Sequence, residues 1–164
     1  MGISPFSVDV APPSAAEFLR EMARHAATLE DRPLPAVDEQ DVADLVPHHV
    51  TDALVAVSAS GRQLGAAWLL FDGAPLVPAR PAAAEVCMAL EPDSRDQGIG
   101  TALLNALISR AAEHDVADLV LNVHLRNTAA LHLYMKCGFR VAGAGRGWFG
   151  VAMVKTIRVV MAIP

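Results

Sequence analysis

Seven consecutive residues, Arg95, Asp96, Gln97, Gly98, Ile99, Gly100 and Thr101, have the types and spacing to hold a diphosphate. Gly98 and Gly100 allow backbone angles that a Cβ resists, so successive amides can curl around an anion, and a helix starting there adds its positive end. Arg95, at the lip of the turn, can add charge-assisted hydrogen bonds. Two common nucleotide patterns do not fit. The Rossmann pattern needs a third glycine where Leu103 stands, and the Walker pattern needs a Gly-Lys-Ser/Thr ending that the chain lacks.

A second group of polar residues follows about 30 positions later. Asn127 is suited to capping a helix, and Tyr134 lies seven residues beyond it, so the two share a helix face with roughly 10 Å of axial separation. A glycine turn by itself is a weak signal, and so is a tyrosine on a helix; their joint order and spacing carry more.

The elements that must position these residues can be read around them. Ala84 to Leu90 is a continuous apolar run broken by Glu85 and reads as a buried strand, with Pro92, Asp93 and Ser94 as its breaker. From Ile99, the residues Leu103, Leu107 and Ala111 recur every four positions beside Leu104 and Ile108, the apolar face of an amphipathic helix. Leu119 to Val123 reads as another buried strand. Gly138 fits just past the end of the helix that Asn127 opens. The unit is strand, anion turn, helix, strand, helix.

At this point the chain resembles the GNAT superfamily of acyl-CoA-dependent N-acetyltransferases. Arg95, Gly98 and Gly100 match its phosphate motif, R/Q-x-x-G-x-G/A. Asn127, Tyr134, Gly138 and Phe139 match its later signature, and Met88, Ala89, Leu90 and Pro92 stand where its fourth strand and following turn would be. The motifs span residues 84 to 139. Asp96 departs from the pattern, because many relatives carry glycine there; an acidic side chain beside phosphates is unfavourable unless it faces solvent while its N–H serves the anion.

The resemblance implies an α/β (α+β) fold with a central, mostly antiparallel mixed sheet flanked by helices, its fourth and fifth strands splayed to admit the pantetheine arm. It also implies acetyl-CoA as co-substrate. The expected contacts are Met88, Ala89 and Leu90 at the thioester end, Arg95 through Thr101 on the phosphates, and Asn127, Ala130 and Tyr134 on the second helix. The chemistry is direct attack of an amine on the thioester, without an acyl-enzyme. An alkylammonium with pKa ~10.4 must shed a proton, and a thiol leaving group near ~8.5 gains from a nearby acid. Tyr134, carried over from the family's matching tyrosine, is the candidate acid. Glu85 is the candidate base, through water, and it shares a strand face with Cys87 and Ala89 if alternation is unbroken. Plain structural roles stand beside these: an aromatic on a helix face for Tyr134, a paired or solvated carboxylate for Glu85, and simple capping for Asn127.

Composition bounds the rest. A chain of 164 residues with 53% hydrophobic content supports one domain over 1–164 with a single core. The early segments read as a strand over Ser7 to Ala11, a helix from Ser14 to Leu29 capped by Ser14, and a helix over Asp38 to Leu45. Strands over Ala53 to Ser58 and Gln63 to Phe71 pair across a turn. The last two strands are expected over Arg140 to Ala142 and Val151 to Met161, joined by a glycine-rich loop in which Trp148 or Phe149 can wall an acceptor site.

The apolar runs are too short for a membrane span, no secretion signal is visible, and Phe6 stands where myristoylation needs Ser or Thr, so the expected location is cytoplasmic. A net charge of −5 without a basic stripe disfavours nucleic acid. Cys87 and Cys137 lack metal spacing and read as small hydrophobes; adjacent His48 and His49 point apart, so no metal is expected. Lys136 and Arg126 are weak candidates for phosphate contacts. The acceptor is a small-molecule or peptide amine of unread identity, and a long final strand leaves room for a homodimer. Two rivals remain: a non-catalytic acyl-CoA-sensing or protein-interaction module with this fold, and a general nucleotide-binding α/β domain.

Overall fold

The computed structural model describes residues 5–27, 35–36, 39–71 and 75–157. Seven strands form one mixed sheet in the order β1-β2-β3-β4-β5-β7-β6. In chain order these are β1 (Phe6–Val10), β2 (Leu54–Ser58), β3 (Gln63–Leu70), β4 (Ala84–Leu90), β5 (Asp118–His124), β6 (Arg140–Ala144) and β7 (Gly150–Thr156). The helices are α1 (Ala16–Ala27), the short α2 (Gln40–Ala43), α3 (Ile99–Glu113) and α4 (Thr128–Lys136). The chain divides into two compact units. One comprises the chain up to Leu70 with Cys87–Leu107, and the other comprises Phe71–Val86 with the chain from Ile108 onward.

In the first unit β1, β2 and β3 pair antiparallel, with a register shift between Ala56 and Val57. The β2–β3 turn closes with Gly61 N–H donating to Ser58 O at 2.9 Å. Leu19 and Met22 of α1 and Val55 and Trp68 of the strands are almost wholly buried in one cluster. Each such side chain contributes on the order of 1.5–3 kcal/mol through removal from water. Trp68 also satisfies its only polar atom, since Nε1 donates to Leu45 O at 2.8 Å.

Two early boundaries differ from the sequence reading. Ser14 does not cap α1, because Pro13 opens a 3₁₀ turn over Pro13–Ala15 and places Ser14 inside it. Proline has a fixed φ and no N–H to satisfy, so it is suited to starting such a turn. The second helix is one turn long, Gln40–Ala43, and does not run on to Leu45. Leu29, Asp38 and residues 158–161 lie outside the described residues.

In the second unit β4 pairs parallel with β5 at Ala84↔Leu119 and Glu85↔Val120. The antiparallel β5–β7 ladder is far longer, running from Asp118↔Thr156 to His124↔Gly150. β6 pairs antiparallel with β7, with a register shift between Val141 and Gly143. Leu119, Leu121 and Met153 are fully buried, as expected of strands covered by apolar groups. Arg80 bridges to Asp118, whose Oδ1 also accepts from Thr156 Oγ1 at 2.9 Å. Among the described residues no helix is long and apolar enough to cross a membrane.

Candidate active site

The anion turn lies in the first unit, between β4 and α3. Pro92–Ser94 makes a 3₁₀ turn after the strand, and Arg95 through Gly98 are exposed before the chain enters α3 at Ile99. The left-handed backbone angles fall at Asp96 (φ +62°) and Gly98 (φ +80°). Alternation of left- and right-handed residues is what curls successive N–H groups toward one point. Gly100, expected to supply such an angle, is instead within the first turn of α3 and has no positive φ. Asp96 takes the left-handed position, one that Asp and Asn tolerate better than most side chains.

The first intrahelical bond of α3 runs from Ala102 N–H to Gly98 O at 3.1 Å. The N–H groups of Ile99, Gly100 and Thr101 precede it and have no carbonyl within the helix to bind. The first turn of α3 carries no acidic residue, so nothing there opposes an anion at the helix N-terminus. Ile99, Leu103 and Leu107 are buried along one stripe and fix the helix axis.

The turn is braced from outside. Arg62, in the β2–β3 turn, donates from Nη2 to both carboxylate oxygens of Asp93 at 2.6 and 2.7 Å, and Gln97 Nε2 donates to Asp93 O at 3.2 Å. The hydrogen bond from Arg62 holds the Asp93 carboxyl below its usual range, and Asp93 raises Arg62 in turn. Both groups are fully exposed, so the pair orients the turn more than it stabilises the fold. Its contribution is present above the ordinary carboxylate range and fades as pH falls through the depressed Asp93 value. No feature of the sequence singled out this pair.

Met88, Ala89 and Leu90 end β4 in the same unit and are half-buried. Burial does not alternate along this strand, because Val86 and Cys87 are both buried. Cys87 and Cys137 are free thiols. Burial pushes the Cys137 thiol up, away from the reactive thiolate.

Glu85, Asn127, Ala130 and Tyr134 belong to the second unit. Asn127 caps α4, its Oδ1 accepting from Ala130 N–H at 3.2 Å. Tyr134 is 9% exposed, with its ring edge-on to Phe139 at 6.0 Å between centroids. The helix ends as its sequence requires, with Gly138 at φ +93°. Phe139 N–H then turns back to Tyr134 O at 3.0 Å.

Glu85 is engaged by a residue that the sequence reading did not single out. Both its carboxylate oxygens accept from the Arg146 guanidinium, Oε2 from Nη1 at 3.2 Å. Arg146 sits in the β6–β7 loop, and its backbone N–H donates to Asn122 Oδ1 on β5 at 2.7 Å. Beside it, Phe149 packs on His124 at 5.5 Å between ring centroids and beneath the Arg126 guanidinium at 5.2 Å, while Trp148 is 99% exposed.

A parallel β4–β5 pair with a glycine turn and helix between them, followed by a capped tyrosine helix, defines the class of protein. The chain belongs to the acetyltransferase (GNAT) family, whose family model matches residues 16–139. It is similar to the [ribosomal protein bS18]-alanine N-acetyltransferase of Escherichia coli K12, at 36% identity over 77 residues, 47% of this chain and 52% of that protein. The chain thus spans about half the length of the curated relatives it matches.

Solved structures share the fold over nearly the whole chain. yncA from Salmonella typhimurium, solved with its cofactor acetyl-CoA, superposes with a TM-score of 0.74 at 17% identity, covering 97% of this chain and 98% of that one. Spermidine N-acetyltransferase from Vibrio cholerae, in complex with CoA and spermine, gives 0.65 at 18% identity, covering 94% and 96%.

Proposed function

We propose that this protein transfers the acetyl group of acetyl-CoA directly to an amine. The observation that carries this reading is the turn at Asp96 and Gly98, whose left-handed residues lead into a helix with no acidic side chain in its first turn. Membership of the acetyltransferase family supports it. In this reading the N–H groups from Asp96 to Thr101, with Arg95, hold the diphosphate, and the main chain of Met88, Ala89 and Leu90 pairs with the pantetheine arm. Asn127 and Ala130 contact the co-substrate from α4.

Tyr134 donates a proton to the departing CoA thiolate, and Glu85 receives the amine's proton through water. Attack builds charge on the thioester oxygen, which backbone N–H groups of β4 stabilise. The acceptor is a primary amine. Related proteins are named for acetylating a ribosomal protein alanine or spermidine, so peptide N-termini and polyamines are the first classes to assay. The reading places the reaction in the cytoplasm, where acetyl-CoA is available.

The deciding experiment is a thiol-release screen with acetyl-CoA against pooled amines, paired with calorimetry of acetyl-CoA binding. Release with at least one amine is expected. Binding without release across the panel favours the non-catalytic acyl-CoA module, and no binding at all removes both readings.

Asp96 gives a sharper check on the phosphate contacts. Asp96→Gly relieves a left-handed side-chain residue and removes a negative charge near the proposed diphosphate. Charges beside a helix terminus are worth roughly 0.3–1 kcal/mol, so acetyl-CoA should bind about two- to fivefold more tightly. Asp96→Asn retains tolerance of the backbone angle and isolates the charge; it should recover most of the gain. Weaker binding by both variants would mean that the carboxylate contributes to the site.

A further inference from the structure

We propose that Arg146 is an internal competitor for the acceptor's cationic group, and that Glu85 binds either the Arg146 guanidinium or the ammonium of the incoming amine. This deepens the reading above and rests on it. Three observations within the second unit carry the inference. Glu85 is a largely buried carboxylate on β4, its side chain 17% exposed, whereas the Arg146 side chain that neutralises it is 52% exposed on a loop. A carboxylate in such a place needs a cation, and a half-exposed arginine is one that can leave for water.

The loop is also built to reach this arrangement. A Cβ added at Gly145 would stand 2.0 Å from Asn122 Oδ1, and one at Gly150 would stand 1.8 Å from the Arg146 carbonyl oxygen. Glycine at 145 lets the loop lie this close to β5 while Arg146 N–H meets Asn122 at 2.7 Å, and glycine at 150 lets the loop close on its own Arg146 backbone. The pose is held by the guanidinium pair and the Asn122 contact, and the two glycines permit it. Release of the Arg146 guanidinium exposes the two Glu85 oxygens, which can accept from the N–H donors of a primary ammonium. A quaternary ammonium has no N–H to offer them. The site thus selects primary amines over permethylated ones of the same charge.

The first test follows the Arg146 side-chain Nε–H by NMR in the native protein, assigned by its loss in Arg146→Lys, during titration with n-butylammonium chloride. The resonance should shift and exchange faster with n-butylammonium, but not with tetramethylammonium at equal ionic strength. Identical responses to the two salts, or none, overturn the proposal whether or not the enzyme turns over.

The second test measures thiol release at saturating acetyl-CoA with n-butylamine and 1,4-diaminobutane. Arg146→Gln should lower the amine KM by about two- to fivefold, the scale of a partly exposed ion pair, while the acetyl-CoA KM stays put. Arg146→Lys should fall between native and Arg146→Gln, because it keeps the charge but loses the two-pronged contact. Gly145→Ala retains Arg146 but forces the loop off Asn122, and should shift the amine KM in the same direction as Arg146→Gln. Turnover with an amine KM that is unchanged or raised in Arg146→Gln and Gly145→Ala sinks the latch alone. Absence of turnover in the native protein and every variant, across both amines and the pooled screen, removes the reaction itself.

Discussion

Tyr134→Phe should lower kcat by about 10²- to 10³-fold while acetyl-CoA affinity stays within about twofold. The substitution deletes one oxygen and keeps the ring, so the edge-on contact with Phe139 survives, as does the packing of a residue that is only 9% exposed. α4 also keeps its Asn127 cap. What changes is the ability to protonate a leaving group whose thiolate has a pKa near ~8.5. Single-turnover thiol release separates the chemical step from binding, and calorimetry gives the affinity independently. Equal turnover by the mutant would reduce Tyr134 to a packed aromatic.

The second large effect is expected at Gly98. Its φ of +80° lies in the left-handed region, yet an added Cβ there would meet nothing within 4 Å. The cost of a side chain is therefore conformational, not a collision. A left-handed L-residue costs roughly 1–2 kcal/mol, and a β-branched one resists the region most. In Gly98→Val the turn escapes this cost by rotating out of the left-handed basin, which turns its N–H groups away from a common point.

Acetyl-CoA affinity should fall at least about tenfold, with Gly98→Ala intermediate. The melting temperature should drop only a few degrees, because the turn is exposed and the core untouched. Calorimetry beside thermal melting reads both numbers. Unchanged affinity in Gly98→Val would mean that the diphosphate is held elsewhere.

The elements that carry the proposed site are legible in the sequence because they depend on short-range sterics. Few residues tolerate left-handed angles, so a glycine turn between an apolar strand and an amphipathic helix can be read from adjacent letters. The same holds for Asn127 at a helix start and Gly138 beyond its end. Ala84 to Leu90 appears as β4 with those bounds. The structure departs from the sequence pattern where two local signals compete: Ser14 has the type of a cap, but Pro13 opens a 3₁₀ turn around it, and of the two turn glycines only Gly98 is left-handed, with Asp96 as the other left-handed residue. Gly100 is absorbed by α3 because the helix begins one residue after Gly98.

By itself, then, the sequence determined the strand, turn and helix units around the proposed site, and the family. Tertiary structure alone decided which charges meet: Arg62 with Asp93 across 31 positions, and Arg146 with Glu85 across 61. The Arg146–Glu85 pair follows from sheet register, since β4–β5 and β5–β7 pairing sets which loop lies over that carboxylate. A shift of one residue in either ladder would leave every local pattern intact and still move Arg146 away from Glu85.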